Sequence, residues 1–503
     1  MGSAAEPRQE RRLSVANILR QGAADYVREY GDSGASLHVQ SVLAKLSLCR
    51  TRALGGRWYE CDVCHADCGI YNSCGDRHCP QCSGSKRHKF SQRASSMMLE
   101  GVDCYQVVFT LPSELSALAL SNRQAIADLL FGSSWKSLQK TVRSQQGYEP
   151  AAMMVLHTWN QKLDAHWHVH AVIPGAGPSL EGNQWIESKA PEGSGLSDDH
   201  YLVDAVTLRE AFRKTALSRL KRLRATGKLM LPSHGELGDL NDDATWQAFI
   251  EKLESKDWVS FIQPPPSNSS GPNELIRYLT RYITGGPISD SRIVRADRQS
   301  VTFLAREGKA TGGERRQVPV TLSTVEFVRR WCLHIQPDQL TKSRCFGGWS
   351  NSRLAGYMER CASAMNASNV ELEPGAMEFD TEAFDESEES SSCNASDNKQ
   401  LTCPKCGSQS LRETKTIDKP SWRAIFARES ESCPAWYAES LEKDAREFWD
   451  DAVGTGFYDW YQETQAEGAK ASSTSPPRTK IPREIQLTLP GLSITDHYWL
   501  ESY

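Results

Sequence analysis

The sequence AHWHVHAVIPGAG, at residues 165–177, alternates histidine with apolar residues and then stops at proline and glycine. Alternation followed by β-branched residues and a Pro/Gly stop predicts a β-strand that ends in a turn. Alternate side chains of a strand share one face, so His166, His168 and His170 should form a row. Neighbours in that row lie about 7 Å apart at Cα, which suits two ligands of one ion. A wet, histidine-rich sheet face is the alternative, but three histidines in five residues exceed what chance composition supplies.

Two further apolar runs predict strands beside this one. Residues 104–112, CYQVVFTLP, read as a buried strand, and residues 153–158 precede the histidine strand with only a few polar residues between them. A short polar connection between two strands is typical of a β-hairpin. Helical patterns near residues 14–46, 118–130 and 206–225 surround these runs. We therefore expect an α+β fold, in which helices flank an antiparallel sheet.

Composition limits the class of protein. The 503 residues allow two to four domains at about 150 residues each. A net charge of −5 gives no global sign of nucleic-acid binding, so local basic stretches matter more. The first 13 residues lack the apolar core of a signal peptide, and no run is long and apolar enough to span a bilayer. A cytoplasmic location with no membrane partner is the expectation, and the 15 cysteines are expected to be reduced, some of them binding metal.

Two Cys-x-x-Cys pairs predict a structural zinc site. Cys61 and Cys64 are followed after 14 residues by Cys79 and Cys82, close to the spacing of a four-thiolate site. Redox use of these pairs is the alternative. Other potential ligands, which could replace one of the four or build a second site, are Cys49, Cys68, Cys74 and His78.

The C-terminal part begins with a change in composition. Residues 371–399 are acidic and rich in serine, which predicts disorder. Cys403 and Cys406 then form another zinc-type pair, but no second Cys-x-x-Cys follows it. This pair is therefore half of a zinc site, with Cys393 and Cys433 nearby.

Local basic stretches predict contacts with DNA phosphates, although a solvated basic surface would have the same composition. They surround the cysteine pairs and cover an amphipathic helix at about residues 206–225. The candidates for DNA contact are Arg77, Lys86, Arg87, Arg213, Lys214 and Arg281.

A pair of tyrosines is the second candidate for chemistry. Asn273 could cap a helix that runs through Tyr282, and glycines 285 and 286 would end it. Tyr278 and Tyr282, at i and i+4, then lie on one face. A tyrosine can act as a nucleophile through its phenolate oxygen. Taken by itself, this motif is more simply interpreted as two tyrosines packed in the core of the protein. It indicates a nucleophile only in combination with the histidine strand.

These residues resemble the two-tyrosine HUH transposases of rolling-circle insertion sequences, which are relatives of Helitrons. The resemblance covers roughly residues 14–365 and leaves the role of the C-terminal part open. His168-Val169-His170 matches the histidine–hydrophobe–histidine motif of that family, and Tyr278 and Tyr282 match its tyrosine pair. The matching segments, in order, are CRTRALGG at 49–56, CDVC…YNSCGDRHCPQC at 61–82, VVFTLP at 107–112, LHTW…HWHVHAVIPGAG at 156–177, YLTRYITGGPIS at 278–289 and FVRRWCLHIQP at 327–337.

The resemblance implies the activity. It implies cleavage and rejoining of single-stranded DNA at element ends and targets, a 5′-phosphotyrosine intermediate, and Mg²⁺ or Mn²⁺ in addition to structural Zn²⁺. His168 and His170 would hold the catalytic ion, with His166 as the first candidate for a third ligand and Asp164 and His157 behind it. A plasmid or phage replication initiator and an inactive zinc-ribbon DNA-binding protein remain the alternatives. The oligomeric state is open.

The resemblance, together with the composition of the residues that it does not cover, predicts a domain organisation around an antiparallel HUH nuclease core. The predicted units are an N-terminal tail and helices at 1–48, a zinc-binding DNA-binding domain at 49–95, the catalytic domain at 96–365, the acidic linker at 366–400, and a partly helical C-terminal region at 401–503.

Overall fold

A computed structural model describes residues 13–31, 35–99, 101–198, 201–233, 237–265, 286–307, 316–368, 401–427 and 430–453. Helices and antiparallel strands are combined in it, which confirms the predicted α+β class. The helices are α1 Val15–Tyr30, α2 Leu37–Leu48, α3 Gly84–Ser96, α4 Ser116–Ser121, α5 Arg123–Gln145, α6 Ala205–Ala225, α7 Asp243–Glu254, α8 Thr324–Cys332, α9 Leu354–Ala367, α10 Trp422–Ile425 and α11 Ala435–Val453. The strands are β1 Gly56–Cys61, β2 Asp67–Tyr71, β3 Cys104–Thr110, β4 Ala151–Trp159, β5 Ala165–Pro174, β6 Ala176–Pro178, β7 Trp185–Glu187, β8 Val259–Gln263, β9 Ile293–Ala296, β10 Ser300–Glu307, β11 Arg316–Ser323, β12 Ser343–Gly347 and β13 Leu411–Ile417.

A five-stranded antiparallel sheet forms the centre, in the order β12-β4-β5-β3-β8. The three strands expected from the sequence are its inner strands, and β4 and β5 form the expected hairpin. In the turn between them, Leu163 has a left-handed φ of 66°, and the side-chain oxygen of Asn160 accepts from the N–H groups of Lys162 and Asp164. These bonds satisfy backbone donors that the sheet leaves free, so the turn holds the register of the hairpin.

The alternation in β5 divides its side chains between two layers. Trp167 and Val169 lie on one face, in a core to which α5 and α6 contribute Phe131 and Phe212. The histidines and Val172 lie on the other face, where Val172 joins a second core. Burial of a large apolar side chain contributes about 1.5–3 kcal/mol, so a one-residue slip of β5 would exchange the two faces at high cost.

The N-terminal helices belong to a third core. α1 and α2 are the expected helical pair, and α8 packs against α1. At Gly22 of α1 an added Cβ would lie only 2.8 Å from Cγ2 of Val328 and 3.1 Å from Cγ2 of Thr324. The absence of a side chain at this position therefore sets the close approach of the two helices.

The cysteine-rich module is a three-stranded sheet in the order β13-β1-β2. Its β13 strand comes from the C-terminal part and pairs antiparallel with β1, from Gly56 opposite Ile417 to Cys61 opposite Leu411. The described part of the C-terminal region therefore contributes a strand to the module predicted at 49–95. The predicted domain boundaries themselves stay a prediction.

A membrane-crossing helix is not found among the described residues, since none of their helices combines the necessary length with the necessary apolarity.

Candidate active site and cysteine clusters

Three imidazoles from adjacent strands form a group that we call the histidine cluster: His157 of β4, and His168 and His170 of β5. One ligating nitrogen from each lies within 4.8 Å of the other two. The ring centroids of His157 and His170 are 4.6 Å apart, and those of His168 and His170 are 5.0 Å apart. Such a group can hold one metal ion with three nitrogen ligands.

Strand pairing explains the membership of the cluster. His157 lies directly opposite His168 in the β4–β5 ladder, and paired residues have Cβ atoms about 4.5–5.5 Å apart. The ring of His166 lies 5.2 Å from that of His168, but His166 is four residues from His170 along the same strand, about 13 Å, and so it stands outside the cluster. Asp164 forms an ion pair with Arg330 at 2.7 Å. The expectation that His166 would be the third member therefore does not match the structure, which brings His157 to that position.

Hydrogen bonds orient the two histidines of β5. Nδ1 of His168 lies 3.0 Å from the carbonyl oxygen of His166, which can only accept, so Nδ1 carries the proton and Nε2 keeps its lone pair. The amide nitrogen of Gln106 lies 2.7 Å from Nδ1 of His170, while the amide oxygen is buried with no hydrogen-bond partner among the described residues. A half-turn of the amide would let that oxygen accept from Nδ1–H, leaving Nε2 of His170 for a metal.

Partial burial keeps these rings neutral. Desolvation lowers the pKa of His166 and brings the pKa of His170 to about 4. Desolvation is the largest cause that lowers the pKa of His168 well below its ordinary range, and the neighbouring imidazoles of His170 and His166 lower it further. Neutral imidazole is the form that binds a metal ion, so the two histidines of β5 in the cluster are in the ligand form at neutral pH.

The cysteines form two clusters instead of the predicted one. Sulfur atoms within 4.8 Å of one another define the N-terminal cysteine cluster, made of Cys49, Cys74, Cys79 and Cys82. The same criterion defines the split cysteine cluster, made of Cys61, Cys64, Cys403 and Cys406. The predicted grouping of Cys61 and Cys64 with Cys79 and Cys82 is therefore corrected.

The geometry of the β1–β2 hairpin explains this correction. Cys61 ends β1 at one end of the hairpin, whereas Cys49 precedes β1 and Cys74 follows β2 at the other end. Six residues of strand separate the ends by roughly 17 Å, which one ion cannot bridge. His78 is no ligand in this arrangement, because its Nδ1 contacts Asp76 at 3.0 Å and its Nε2 accepts from the N–H of Gln336 at 3.1 Å.

Comparisons with known proteins show the family of the chain. A family described as "Transposase zinc-binding domain" matches residues 18–111, and one described as "Putative transposase" matches residues 151–355. The "Putative transposase y4qJ" of Sinorhizobium fredii is 32% identical over 353 residues, which are 69% of this chain and 84% of that protein. This chain belongs to the transposase family. The "Transposase for insertion sequence element IS801" of Pseudomonas savastanoi pv. phaseolicola is 25% identical over 376 residues, 73% of this chain and 82% of that protein.

A solved structure is also similar to part of the transposase. It is a conjugative relaxase, TrwC, in complex with oriT DNA, and it covers 35% of this chain and 68% of its own chain. The identity is 14% and the TM-score is 0.17.

Zinc is a cofactor of the transposase, because the zinc-binding family match contains the whole N-terminal cysteine cluster, and four thiols are a ligand set that selects zinc. In the N-terminal cysteine cluster, Sγ of Cys74 lies 3.5 Å from Sγ of Cys82, and the N–H of Cys74 donates to Sγ of Cys49 at 3.4 Å. Such N–H contacts favour the thiolate form that binds the ion.

The predicted DNA-contact residues lie in different environments. Arg77 is a structural residue, since its guanidinium donates to the carbonyl oxygens of Gln336, Pro337 and Leu340. Arg213 is paired with Glu210 at 2.7 Å, while Lys214 is exposed on α6. Lys86 and Arg87 are in α3, but their side chains are not among those described, and Arg281 is outside the described residues.

The two predicted nucleophiles, Tyr278 and Tyr282, also lie outside the described residues. The chain on both sides of them is anchored near the histidine cluster. Before them, β8 ends at Gln263, which pairs with Gln106, the residue that contacts His170. After them, the guanidinium of Arg292 donates to a carbonyl oxygen in the β4–β5 turn.

Proposed function

We propose that this transposase cleaves and rejoins single-stranded DNA at the ends of its element through a 5′-phosphotyrosine intermediate. Tyr278 and Tyr282 are the nucleophiles, and His157, His168 and His170 hold a divalent cation. The observation that carries the proposal is the histidine cluster: three imidazoles on one face of adjacent strands, with ligating nitrogens within 4.8 Å of one another. The match to transposases over residues 151–355 supports it, because those residues contain both the cluster and the tyrosines.

The residues of the cluster fit a hard cation that shares its coordination with substrate oxygens. Three neutral nitrogens leave the remaining positions open, and such a set is compatible with Mg²⁺ or Mn²⁺ as well as with softer ions. When bound, the cation would polarise the phosphate and stabilise the negative charge that develops in the transition state. Gln106 and the carbonyl oxygen of His166 orient two of the imidazoles, which reduces the cost of assembling the site.

A tyrosine oxygen attacks the phosphorus of the phosphodiester. A bond forms between the phenolic oxygen and phosphorus as the bond from phosphorus to the 3′ oxygen breaks. The phenol gives up its proton and the 3′ oxygen gains one, so the products are a tyrosine ester of the 5′ phosphate and a free 3′ hydroxyl. The step exchanges one phosphate ester for another. A 3′ hydroxyl can therefore attack the phosphotyrosine, which reverses the step and joins DNA. A second tyrosine permits a second strand transfer while the first holds an end.

The anchoring of the tyrosine segment supports this assignment. Fifteen positions separate Tyr278 from Gln263, whose partner strand carries Gln106 beside His170. The segment that follows is held by the N–H of Val15, which donates to Asp290 at 2.8 Å, and by Ile288, which is buried in the N-terminal core. Fifteen residues can span at most about 50 Å, so the phenols are within reach of the histidine face.

Lys342, which lies outside the sequence motifs, adds positive charge near the histidine cluster. Nζ of Lys342 lies 6.0 Å from the ring centroid of Trp159, and Trp159 stacks on His157 with centroids 4.6 Å apart. Desolvation brings the pKa of Lys342 to about 8, so it is mostly charged at neutral pH. A partly desolvated cation one aromatic ring away from the cluster attracts a DNA phosphate more strongly than a lysine in water.

The test uses the full chain, Mn²⁺ and a labelled single-stranded oligonucleotide carrying the end of the element. Wild type should form a protein–DNA adduct that survives denaturant, and mass spectrometry should place it on Tyr278 or Tyr282. We expect the Tyr278→Phe,Tyr282→Phe double variant to form none, at least one single variant to keep nicking, and both single variants to fail in transposition. Tyr71→Phe, at an exposed tyrosine, is the control. An adduct in the double variant, or on another tyrosine, contradicts the proposal.

A further inference from the structure

The split cysteine cluster brings together residues from distant parts of the chain. Sγ of Cys61 lies 3.5 Å from Sγ of Cys406, 345 residues away, and Sγ of Cys64 lies 3.5 Å from Sγ of Cys403, 339 residues away. All four sulfurs lie within 4.8 Å of one another. The matched zinc-binding family ends at residue 111 and so includes only half of this cluster.

The first cysteine pair sits in a tight turn at the end of β1. The N–H of His65 donates to the carbonyl oxygen of Cys61 at 2.8 Å, and the N–H of Cys61 donates to the carbonyl oxygen of Ala66 at 3.1 Å. His65 has a left-handed φ of 51°, which is uncommon for a residue with a side chain. These contacts hold the sulfurs of Cys61 and Cys64 on the same side of the turn.

The second pair repeats this turn in the C-terminal part. The N–H of Gly407 donates to the carbonyl oxygen of Cys403 at 2.8 Å, and the N–H of Cys403 donates to the carbonyl oxygen of Ser408 at 2.7 Å. Gly407 has the same left-handed conformation as His65, with φ at 75°. Two Cys-x-x-Cys turns, or knuckles, with the same backbone geometry therefore face each other. Each turn offers two sulfurs, as in a zinc ribbon.

Each turn also directs backbone N–H groups at the sulfur of its first cysteine. Those of Val63 and Cys64 contact Cys61, and those of Lys405 and Cys406 contact Cys403. Such N–H groups stabilise a thiolate, which is the form that binds metal.

The distances fit a metal centre and not a disulfide. A disulfide joins its sulfurs at about 2.05 Å, whereas both cross-turn pairs here are 3.5 Å apart. An ion bound by four sulfurs at about 2.3 Å in a tetrahedron separates them by about 3.8 Å. Four thiols at this spacing match Zn²⁺ better than a hard cation, which prefers oxygen.

We propose that Cys61, Cys64, Cys403 and Cys406 bind a second structural Zn²⁺, which joins the C-terminal part of the chain to the N-terminal zinc-binding domain. The ladder between β1 and β13 supports the junction, and Arg412 adds an ion pair with Glu60 at 2.8 Å. The ion closes a loop that contains the whole central sheet. A link across so long a loop removes more conformational freedom from the unfolded chain than a local one does.

The first experiment counts zinc in the full chain purified without chelator. Wild type should hold two zinc ions per chain, one in each cysteine cluster. The Cys403→Ser,Cys406→Ser double variant should hold one, and Cys433→Ser, which changes a cysteine outside both clusters, should hold two. One zinc in wild type overturns the proposal, as does a double variant that holds as much zinc as wild type, since zinc bound at the histidine cluster would add equally to both counts.

The second experiment uses wild type alone, so it does not depend on the folding of a variant. Cys406 is exposed, and a free exposed thiol should react quickly with an alkylating reagent. We expect Cys406 to be protected in the untreated protein and to be alkylated after a chelator removes zinc. Equal alkylation before and after chelation overturns the proposal, as does a disulfide peptide linking Cys61 to Cys406.

Discussion

His157 shows how a functional side chain can lie in an ordinary apolar run. Its strand, β4, is buried nearly throughout, and its sequence carries no alternation of histidines. Only its position opposite His168 in the hairpin brings its ring into the histidine cluster. His166 has the stronger sequence signal, and its ring is as close to His168 as that of His157, at 5.2 Å against 5.3 Å. The cross-strand position of His157 also brings its ring within 4.6 Å of that of His170, four residues along the strand from His166.

The first prediction separates these two histidines. We expect His157→Ala to lower cleavage of single-stranded DNA in Mn²⁺ by more than about 100-fold, because losing a ligand should cost more than losing an outer hydrogen-bond partner. His166→Ala, whose carbonyl oxygen still accepts from His168, should stay within about tenfold of wild type. Manganese binding and adduct yield are measured for both variants. A His166→Ala protein that loses cleavage while His157→Ala keeps it would reverse the assignment.

Among the secondary-structure elements, the contact between α1 and α8 links the N-terminal helices to the active site. α8 carries Arg330, which pairs with Asp164 and donates to the carbonyl oxygen of Lys162 in the β4–β5 turn. The position of α8 therefore helps to fix the turn between the two histidine strands. Gly22 allows α1 to approach it closely, as the contacts of an added Cβ with Val328 and Thr324 show.

The second prediction tests this helix contact. Gly22→Val adds a branched side chain where the space is already filled, and we expect it to lower the free energy of unfolding by about 1–3 kcal/mol. Gln21→Val is the control, because it places the same residue at an exposed position of the same helix. Urea titrations of both variants give the comparison. If Gly22→Val is no less stable than Gln21→Val, the contact does not limit the packing of α1 on α8.

Across the whole molecule, His334 connects the end of α8 with the central sheet. Its Nε2–H donates to the carbonyl oxygen of Leu163 at 3.0 Å, and its Nδ1 accepts from the hydroxyl of Thr158 at 3.2 Å. Both nitrogens are satisfied only in the neutral ring. Desolvation, with smaller contributions from Arg123 and Lys342, brings the pKa of His334 to about 3.

The third prediction follows from this pKa. Because His334 binds a proton in the unfolded chain at about pH 6.5 but in the folded protein only near pH 3, its contribution to stability is fully present above about pH 6.5 and is lost as the pH falls toward 3. Between pH 4 and 6 this histidine adds about 1.4 kcal/mol per pH unit to the slope of the unfolding free energy.

His334→Gln should therefore unfold with a shallower dependence on pH in that window. His38→Gln changes a partly exposed histidine of α2 and serves as the control. Urea titrations at several pH values measure the slopes, and other groups that titrate in this range cancel in the difference from wild type. Equal slopes for wild type and His334→Gln would show that His334 is not the acid-sensitive group.

The sequence by itself determined what depends on local pattern. The alternation at 165–174 encodes a strand with histidines on one face, the short polar run before it encodes a hairpin, and each Cys-x-x-Cys encodes one knuckle. These features follow from the period of the backbone and the chemistry of turns, which act over a few residues. The class of the fold and the presence of zinc sites could therefore be predicted.

Only the tertiary structure decided which of these local pieces meet. His157 joins His168 because of the register of a ladder, and the length of the β1–β2 hairpin separates Cys61 from Cys79. Cys403 reaches Cys64 because β13 pairs with β1 across more than 300 residues of chain. Such pairings depend on the burial of whole strand faces and on loop closure, and neither is visible in the spacing of residues along the chain.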